Sequence, residues 1–267
     1  MTNAFIPPRN PPPKVLVLAG LDPSGGAGLQ TDIITCAYFG CHPLPIMTAN
    51  TIQDTANIYG FKPEDSTWIV RQLQHLLADI TPDVIKIGAL GCGDLIAPLC
   101  DVLRQLPCKI IYDPVLRAGG GGHLSDERLA HEVQQHLLPI TYLCTPNTPE
   151  LHALSGVADE TAAINHLTSA GCRHVLVTGG HDQDERRSNR LYDGPTLRQQ
   201  WFWERIAGEY RGTGCALSTA IAALMANGNS LANSCEQAMA YLSASVAQAY
   251  SIGSSQRIPL RLIRQIT

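Results

Sequence analysis

Residues 14–40 read KVLVLAGLDPSGGAGLQTDIITCAYFG and carry the strongest fold signal in the chain. The apolar run at 14–19 predicts a buried strand, and the pattern at 27–39 predicts a helix that ends at Gly40. A glycine-rich loop, GLDPSGGAG at 20–28, joins the two. A strand, a loop and a helix in this order predict the opening unit of an α/β sheet.

The same alternation of strands and helices continues along the chain. Two short strands within 189–203 interrupt it and predict an antiparallel edge, and helices at 213–226 and 231–249 follow. The pattern therefore predicts an α/β fold with a mainly parallel sheet covered on both faces. The other expected strands lie at 46–51, 84–87, 109–112, 142–144 and 174–178, and the other expected helices at 67–78, 94–104, 126–136, 149–154 and 160–170.

Composition favours one soluble globular domain over residues 14–267. Of the 267 residues 45% are hydrophobic and 16% are charged, which suffices for a substantial core. The formal net charge is -4 and no basic run is present, so we expect no nucleic-acid partner. The nine cysteines include no C-x-x-C pair, and we expect most of them to be buried in a reducing compartment.

The first 13 residues differ from the rest of the chain. They contain five prolines and no apolar stretch, which predicts a flexible leader rather than a secretory signal. The most apolar run, at 15–21, is far shorter than the roughly 20 residues that a membrane-spanning helix needs. We therefore expect a cytoplasmic protein that has no membrane partner.

The loop at 20–28 is expected just beyond the carboxyl end of a strand, where open parallel sheets bind ligands. Its glycines permit close backbone approach, and the following helix offers free N–H groups with a partial positive charge. The loop matches neither the Rossmann fingerprint nor the Walker A spacing. A tight turn without a ligand remains the alternative interpretation.

A second glycine-rich turn, RGTGCA at 211–216, opens a helix late in the chain. Successive N–H groups at a helix N-terminus form a cradle for an anion such as a transferring phosphoryl group. The helix dipole would favour the thiolate form of Cys215. The alternative is a capped helix with a buried cysteine.

A third motif, TPNTPE at 145–150, follows an expected strand. On a starting helical turn, the amide of Asn147 and the carboxylate of Glu150 point the same way, as magnesium with its waters would require. A capping box formed by these two residues is an equally weighted alternative.

Five segments occur in one order: GLDPSGGAGLQTD at 20–32, KIG at 86–88, DPV at 113–115, TPNTPE at 145–150 and GTGC at 212–215. Together they resemble the hydroxymethylpyrimidine/phosphomethylpyrimidine kinases of the ribokinase-like superfamily, over nearly the whole chain. The resemblance implies a three-layer αβα sandwich, usually a homodimer. It also implies phosphorylation of 4-amino-5-hydroxymethyl-2-methylpyrimidine, and then of its monophosphate, with ATP and Mg²⁺.

The resemblance also implies roles for individual residues. Those expected to bind the pyrimidine are Gly20, Asp22, Ala27, Asp32, Gln53 and Val115. Those expected to bind the transferred group are Gly212, Thr213 and Gly214, with Cys215 as the base. Those expected near the nucleotide are Asn147, Thr178, Gly180 and Arg211, and those expected to hold magnesium are Asp113 and Glu150. Outside the resemblance, Gln53 would be an ordinary solvated loop residue.

Three positions depart from the family pattern. Arg211 replaces a frequent histidine, Thr178 a frequent lysine and Ala89 a common methionine. Loss of the lysine removes a cation near the phosphates, and we expect Arg211 to compensate by bidentate contact with phosphate. Residues 119–122, all glycine, are expected to form a mobile loop near the nucleotide or a simple surface turn.

Two other functions compete with this assignment. A pyridoxal or pyridoxine kinase shares the fold and phosphorylates a hydroxymethyl group on a similar ring, although Gln53 and the DPSGGAG loop favour the pyrimidine. A non-catalytic pyrimidine sensor would not need the GTGC turn or the N-x-x-E motif. The kinase assignment requires the loops at 20–28 and 211–216 to meet in one cleft.

Overall fold

A nine-stranded sheet lies at the centre of the computed structural model, which describes residues 11–116, 128–179, 186–204 and 206–262. Its strands are β1 Lys14–Leu21, β2 His42–Gln53, β3 Ile58–Pro63, β4 Val84–Ile87, β5 Lys109–Tyr112, β6 Leu143–Cys144, β7 His174–Thr178, β8 Arg186–Asp193 and β9 Thr196–Glu204. They lie side by side in the order β3-β2-β1-β4-β5-β6-β7-β8-β9. Neighbouring strands from β2 to β7 pair in parallel, and the pairs at both edges are antiparallel. The predicted, mainly parallel sheet is confirmed.

Helices cover both faces of this sheet. They are α1 Gly28–Tyr38, α2 Ser66–Asp79, α3 Ile96–Leu103, α4 Leu129–Glu132, α5 Thr148–Ser155, α6 Glu160–Ser169, α7 Thr213–Ala226 and α8 Leu231–Ala247. In β1, Leu16 and Leu18 pack into the core shared with α2 to α6, whereas Val15 and Val17 pack into the core shared with α1, α7 and α8. This alternation confirms the three-layer αβα sandwich.

Burial on both faces explains why β1 has a continuous apolar sequence. The four residues 15–18 have no exposed surface, as expected for a central parallel strand. Each such side chain stabilises the fold by about 1.5–3 kcal/mol relative to an exposed one.

The predicted elements differ from the observed ones mainly at the edge beside β2. The expected strand at 46–51 is longer, and β3, which pairs antiparallel with it, was not predicted at all. Only one residue of β3, Ile58, is buried, so the strand lacks the buried apolar pattern that marks the central strands. The helix expected at 126–136 is only partly described: α4 is short and continues into two irregular helical turns, Val133–Leu137 and Leu138–Ile140.

Several predictions concern residues outside the described ranges. The glycine loop at 119–122, Gly180 and most of the leader at 1–13 belong to this group. Within the described ranges the helices are all too short or too polar to cross a membrane. All nine cysteines are free, and six of them are buried, as expected.

Candidate active site

The two glycine-rich turns meet at the carboxyl end of β1. Gly212 lies in the left-handed region with φ of 69°, and a Cβ atom there would lie 2.2 Å from the carbonyl oxygen of Gly26. Gly28 has φ of 58°, and its Cβ would lie 2.3 Å from the oxygen of Gly20. Only glycine fits either position. The predicted convergence of the loops at 20–28 and 211–216 is therefore confirmed.

A buried ion pair connects these turns. Arg211 Nε donates to Asp22 Oδ2 at 2.9 Å, and both side chains are at most 5% exposed. The other Asp22 oxygen accepts from the amide and the hydroxyl of Ser24, at 2.8 Å and 2.7 Å. Both oxygens of Asp22 are therefore occupied by protein groups that hold the loop in shape.

The rest of the Arg211 guanidinium is also bound by protein groups. Its Nη1 donates to Gln256 Oε1 at 3.2 Å, and its Nη2 donates to Gln53 Oε1. The structure thus directs Arg211 towards the predicted pyrimidine side. This differs from the expected contact with nucleotide phosphates, because the buried carboxylate of Asp22 attracts the guanidinium more strongly than open solvent does.

Gln53 and the first glycine-rich turn, both predicted to bind the pyrimidine, lie beside this network. Gln53 is half-buried at the end of β2, and Thr51 Oγ1 donates to the Leu21 oxygen at 2.7 Å, which ties β2 to the first turn. Gly20 faces Ala49 and Ala89, Ala27 precedes α1, and Val115 is half-buried after β5.

The helices that start at the glycine-rich turns differ from most others in the fold. Asp65, Asp159 and Ser230 cap α2, α6 and α8 with their side chains, whereas α1 and α7 have no side-chain cap. The start of α7 therefore has no side-chain cap. The binding of an anion by the N–H groups of Gly212, Thr213 and Gly214 stays a prediction.

Cys215 is half-buried in the first turn of α7. Burial raises the pKa of its thiol to about 12. The nearby Lys86 lowers this pKa, and the carboxylates of Asp113 and Asp32 raise it further. A lesser effect comes from the Gly28 N–H, which donates to the sulfur. The expected thiolate was wrong for the free protein, because desolvation outweighs the helix dipole.

A fully buried lysine lies beneath the two turns. Lys86 Nζ on β4 donates to Asp32 Oδ2 at 2.8 Å and lies 4.0 Å from Asp113 Oδ2. Burial acts to lower the pKa of Lys86, but the facing carboxylates, Asp32 foremost, hold that pKa above its ordinary value. The other Asp32 oxygen accepts from Thr219 at 2.7 Å.

This pairing corrects the prediction for Asp32. The side chain of Asp32 has no exposed surface, so it lies in the interior beneath the two turns and not at the surface predicted to bind the pyrimidine. The reason is that Lys86 needs a counter-ion in the interior. No role was predicted for Lys86, although a lysine inside the apolar run VIKI is a signal in the sequence.

The carboxylates predicted to hold magnesium are Asp113 and Glu150. Burial raises the pKa of both, to about 8 for Glu150, and the charge of Asp113 raises the pKa of Glu150 further. Asn147 and Glu150 also form the capping box of α5, with bonds of 2.9 Å and 3.0 Å. Thr178 lies beside them, since its N–H donates to the Pro146 oxygen at 2.9 Å.

These residues fit a divalent cation that retains other ligands. Burial is the main cause of both raised pKa values, so the ionised form of each carboxyl is costly and a bound cation would stabilise it. No group of three or more His, Cys, Asp or Glu side chains in the described ranges could hold a metal by itself. Mg²⁺ in phosphoryl-transfer sites needs only one or two carboxylates, with water and phosphate oxygens completing its shell.

Sequence reasoning also missed Arg261. This buried side chain lies against the backbone of both glycine-rich turns, with Nη2 2.9 Å from the Gly26 oxygen and 3.1 Å from the Arg211 oxygen. An arginine near the end of a chain carries no pattern that would have marked it.

Fold and site together define a small-molecule kinase of the ribokinase-like class. Among solved structures, the Staphylococcus aureus pyridoxal kinase in complex with pyridoxal superposes with a TM-score of 0.84 and 26% identity, covering 95% of each chain. A family model described as phosphomethylpyrimidine kinase matches residues 22–260. The chain belongs to the phosphomethylpyrimidine kinase family, as its motifs predicted.

Curated relatives agree with this assignment. The hydroxymethylpyrimidine/phosphomethylpyrimidine kinase of Bacillus subtilis is 31% identical over 248 residues, which are 90% of this chain and 92% of that protein. A thiamine biosynthesis bifunctional protein of Geobacter sulfurreducens is 32% identical over 253 residues, but the match spans only 52% of its length. The solved phosphomethylpyrimidine kinase of Clostridium difficile has a TM-score of 0.76 at 25% identity, covering 88% of this chain and 99% of that one.

Proposed function

We propose that this chain transfers the γ-phosphoryl group of ATP to 4-amino-5-hydroxymethyl-2-methylpyrimidine and then to the resulting monophosphate. The observation that carries the proposal is the packing of Gly212 against Gly26, which places the uncapped start of α7 beside the first turn. Family membership supports the choice of acceptor. Complexes of the S. aureus pyridoxal kinase with ADP and with an ATP analogue support the choice of nucleotide.

The residues of this chain would act mainly by positioning and by charge. Bound ATP would supply the phosphoryl group, and its magnesium ion would neutralise part of the negative charge. The N–H groups of Gly212, Thr213 and Gly214 would orient that group and stabilise the negative charge that develops during transfer. Asp113 and Glu150 would hold the magnesium ion and its waters.

The first phosphorylation releases a proton from an alcohol, whereas the second acceptor is already an ionised phosphate. Cys215 is our candidate for the base, although burial raises the pKa of its thiol to about 12 in the free protein. If Cys215 takes this proton, Cys215→Ala reduces the first activity more than the second. Equal loss of both activities in steady-state assays would contradict the base role.

The central experiment offers the pyrimidine, its monophosphate and pyridoxal separately with Mg-ATP. We expect the two pyrimidines to show the higher kcat/KM. A higher kcat/KM for pyridoxal would instead support the second candidate, a pyridoxal kinase. The superposition on the S. aureus pyridoxal kinase, with a TM-score of 0.84, favours this candidate. Binding of the pyrimidine without turnover of any acceptor would indicate a sensor.

Quaternary structure and location complete the proposal. We expect a homodimer of the 28.8 kDa chain, which sedimentation equilibrium measures directly. We also propose a cytoplasmic location, which cell fractionation tests.

A further inference from the structure

One arginine contacts the backbone of both glycine-rich turns. The Nη2 atom of Arg261 lies 2.9 Å from the oxygen of Gly26, 3.1 Å from that of Arg211 and 3.4 Å from that of Gly212. It also lies 3.3 Å from Thr31 Oγ1, on α1. Since Nη2 carries two hydrogens, these four acceptors share its bonds.

Arg261 is held in place by its own segment and by α8. Its Nη1 donates to the Pro259 oxygen at 2.6 Å, and its carbonyl oxygen accepts from the Tyr241 hydroxyl at 3.0 Å. The guanidinium is thus a fixed group and not a mobile surface side chain.

The charge of Arg261 is buried without a counter-ion in the described ranges. The side chain is 5% exposed, its partners are carbonyls and one hydroxyl, and it takes part in none of the ion pairs found there. Its Nε is buried and has no hydrogen-bond partner. A buried cation and an unpaired N–H both cost stability, so the arrangement needs a reason other than folding.

Peptide geometry gives that reason. In a trans peptide the N–H points opposite to the carbonyl of the same unit. Because Arg261 binds the oxygens of Gly26, Arg211 and Gly212, the N–H groups of the residues that follow them face away from the guanidinium. Neither Ala27 nor Gly212 donates its N–H to another described residue.

We propose that Arg261 is a positioning residue of the phosphoryl-binding turn. It fixes the two glycine-rich turns against each other through their carbonyls, and it supplies a positive charge that a bound phosphoryl group balances. The identification of the anion as a phosphoryl group rests on the proposed function. The role of Arg261 is the same whichever acceptor receives that group.

The test compares Arg261→Met and Arg261→Lys with Arg257→Met, all in the full chain. Arg257 is an exposed arginine of the same segment, and its guanidinium contacts the Ala249 oxygen. Its contact with the turns is through the main chain, since its carbonyl oxygen accepts from the Arg211 N–H at 3.0 Å, and the substitution keeps that bond. We expect Arg261→Met to lower kcat about 100-fold, since displaced transition-state donors cost about that much. Arg261→Lys keeps the charge but loses the planar set of guanidinium donors, so it should lower kcat about tenfold. The kcat of Arg257→Met should stay within about threefold of wild type.

Anion binding gives a readout that a purely structural role would not change. Inorganic phosphate should raise the Tm of the wild-type chain and of Arg257→Met, and this shift should be absent in Arg261→Met. If Arg261→Met does not fold, a smaller phosphate shift in Arg261→Lys carries the same test.

Two results would overturn the inference. One is an Arg261 variant that loses stability but keeps kcat within about threefold, measured where it is folded. The other is a phosphate shift that is absent in wild type or equal in all variants. If wild type phosphorylates none of the three acceptors, the proposed function fails, while the phosphate titration still decides the role of Arg261.

Discussion

Arg211 shows how the surroundings decide what a charged side chain does. Its position beside the GTGC turn predicted contact with nucleotide phosphates, but the residue that binds it, Asp22, lies 189 positions earlier in the chain. Sequence spacing does not reveal such a distant partner. The glycines of both turns were predictable, because only glycine tolerates their backbone angles or close contacts.

Arg211 also determines which way the amide of Gln53 faces. A guanidinium only donates, so Gln53 turns its oxygen to Arg211 and leaves its NH₂ group for the cleft. Gln53→Glu keeps the contact with Arg211 but removes the donor. We expect the KM for the pyrimidine to rise about tenfold or more, with the KM for ATP within about twofold.

The matched control for this variant is Gln256→Glu. Gln256 also accepts from Arg211 but is buried, so the substitution adds the same charge away from the cleft. The KM for the pyrimidine should then stay within about threefold of wild type. Equal effects of the two substitutions would show that added charge, and not the lost donor, weakens binding.

The raised pKa of Cys215, about 12, predicts an unusual alkylation profile. At neutral pH the thiol is protonated, so iodoacetamide reacts slowly, and the rate should keep rising above pH 10, where an ordinary thiol has levelled off. Mass spectrometry of the modified peptide gives the rate at each pH, with Cys215→Ser to identify the peptide. A midpoint at or below pH 9 would contradict the assigned direction.

At the scale of elements, the central strands and helices were predictable, whereas one of the two sheet edges was not. The helix at 213–226 was predicted with the bounds that α7 has, and the antiparallel edge formed by β8 and β9 was located correctly. Strand β3 was missed because an exposed edge strand needs no apolar pattern. The capping box at Asn147 and Glu150 was one of two open interpretations, and it is present.

The start of α7 gives a prediction about backbone fit. Gly212→Ala places a methyl group 2.2 Å from the Gly26 oxygen at a φ of 69°, so the two turns must separate. We expect kcat to fall at least about 100-fold, measured with saturating ATP.

Gly228→Ala is the control for this change. Gly228 follows the same helix with a φ of 92°, and its Cβ would meet nothing within 4 Å. It should lose about 1 kcal/mol of stability from backbone strain alone and keep its kcat. A Gly212→Ala variant with near wild-type kcat would show that the close packing of the turns is unnecessary.

At the scale of the whole molecule, Lys86 and Asp32 join the sheet to the helical layer of α1 and α7. Lys86 lies on β4 and Asp32 on α1, and Thr219, which also binds Asp32, lies on α7. Neither Lys86 nor Asp32 has exposed surface. The sequence predicted the layers that meet here but not the ion pair between them, since it depends on side chains from three separate elements.

This pair predicts a strong dependence of stability on matched charges. Lys86→Met leaves a buried carboxylate unpaired and should cost about 3–5 kcal/mol in urea-induced unfolding. Adding Asp32→Asn should recover at least about half of that loss, because the second change removes the stranded charge. If the losses of unfolding free energy in the two single variants add up to the loss in the double variant, the two side chains do not interact.

The order in which the chain leaves the ribosome matters for a site assembled this way. The contacts between Arg211 and Asp22 and between Arg261 and Gly26 span 189 and 235 positions, whereas β1 meets β2 much earlier. Long-range pairings form late, after local ones. A chain that ends before residue 211 lacks both contacts, so its first glycine-rich turn has no partner turn even where β1 and β2 have already paired.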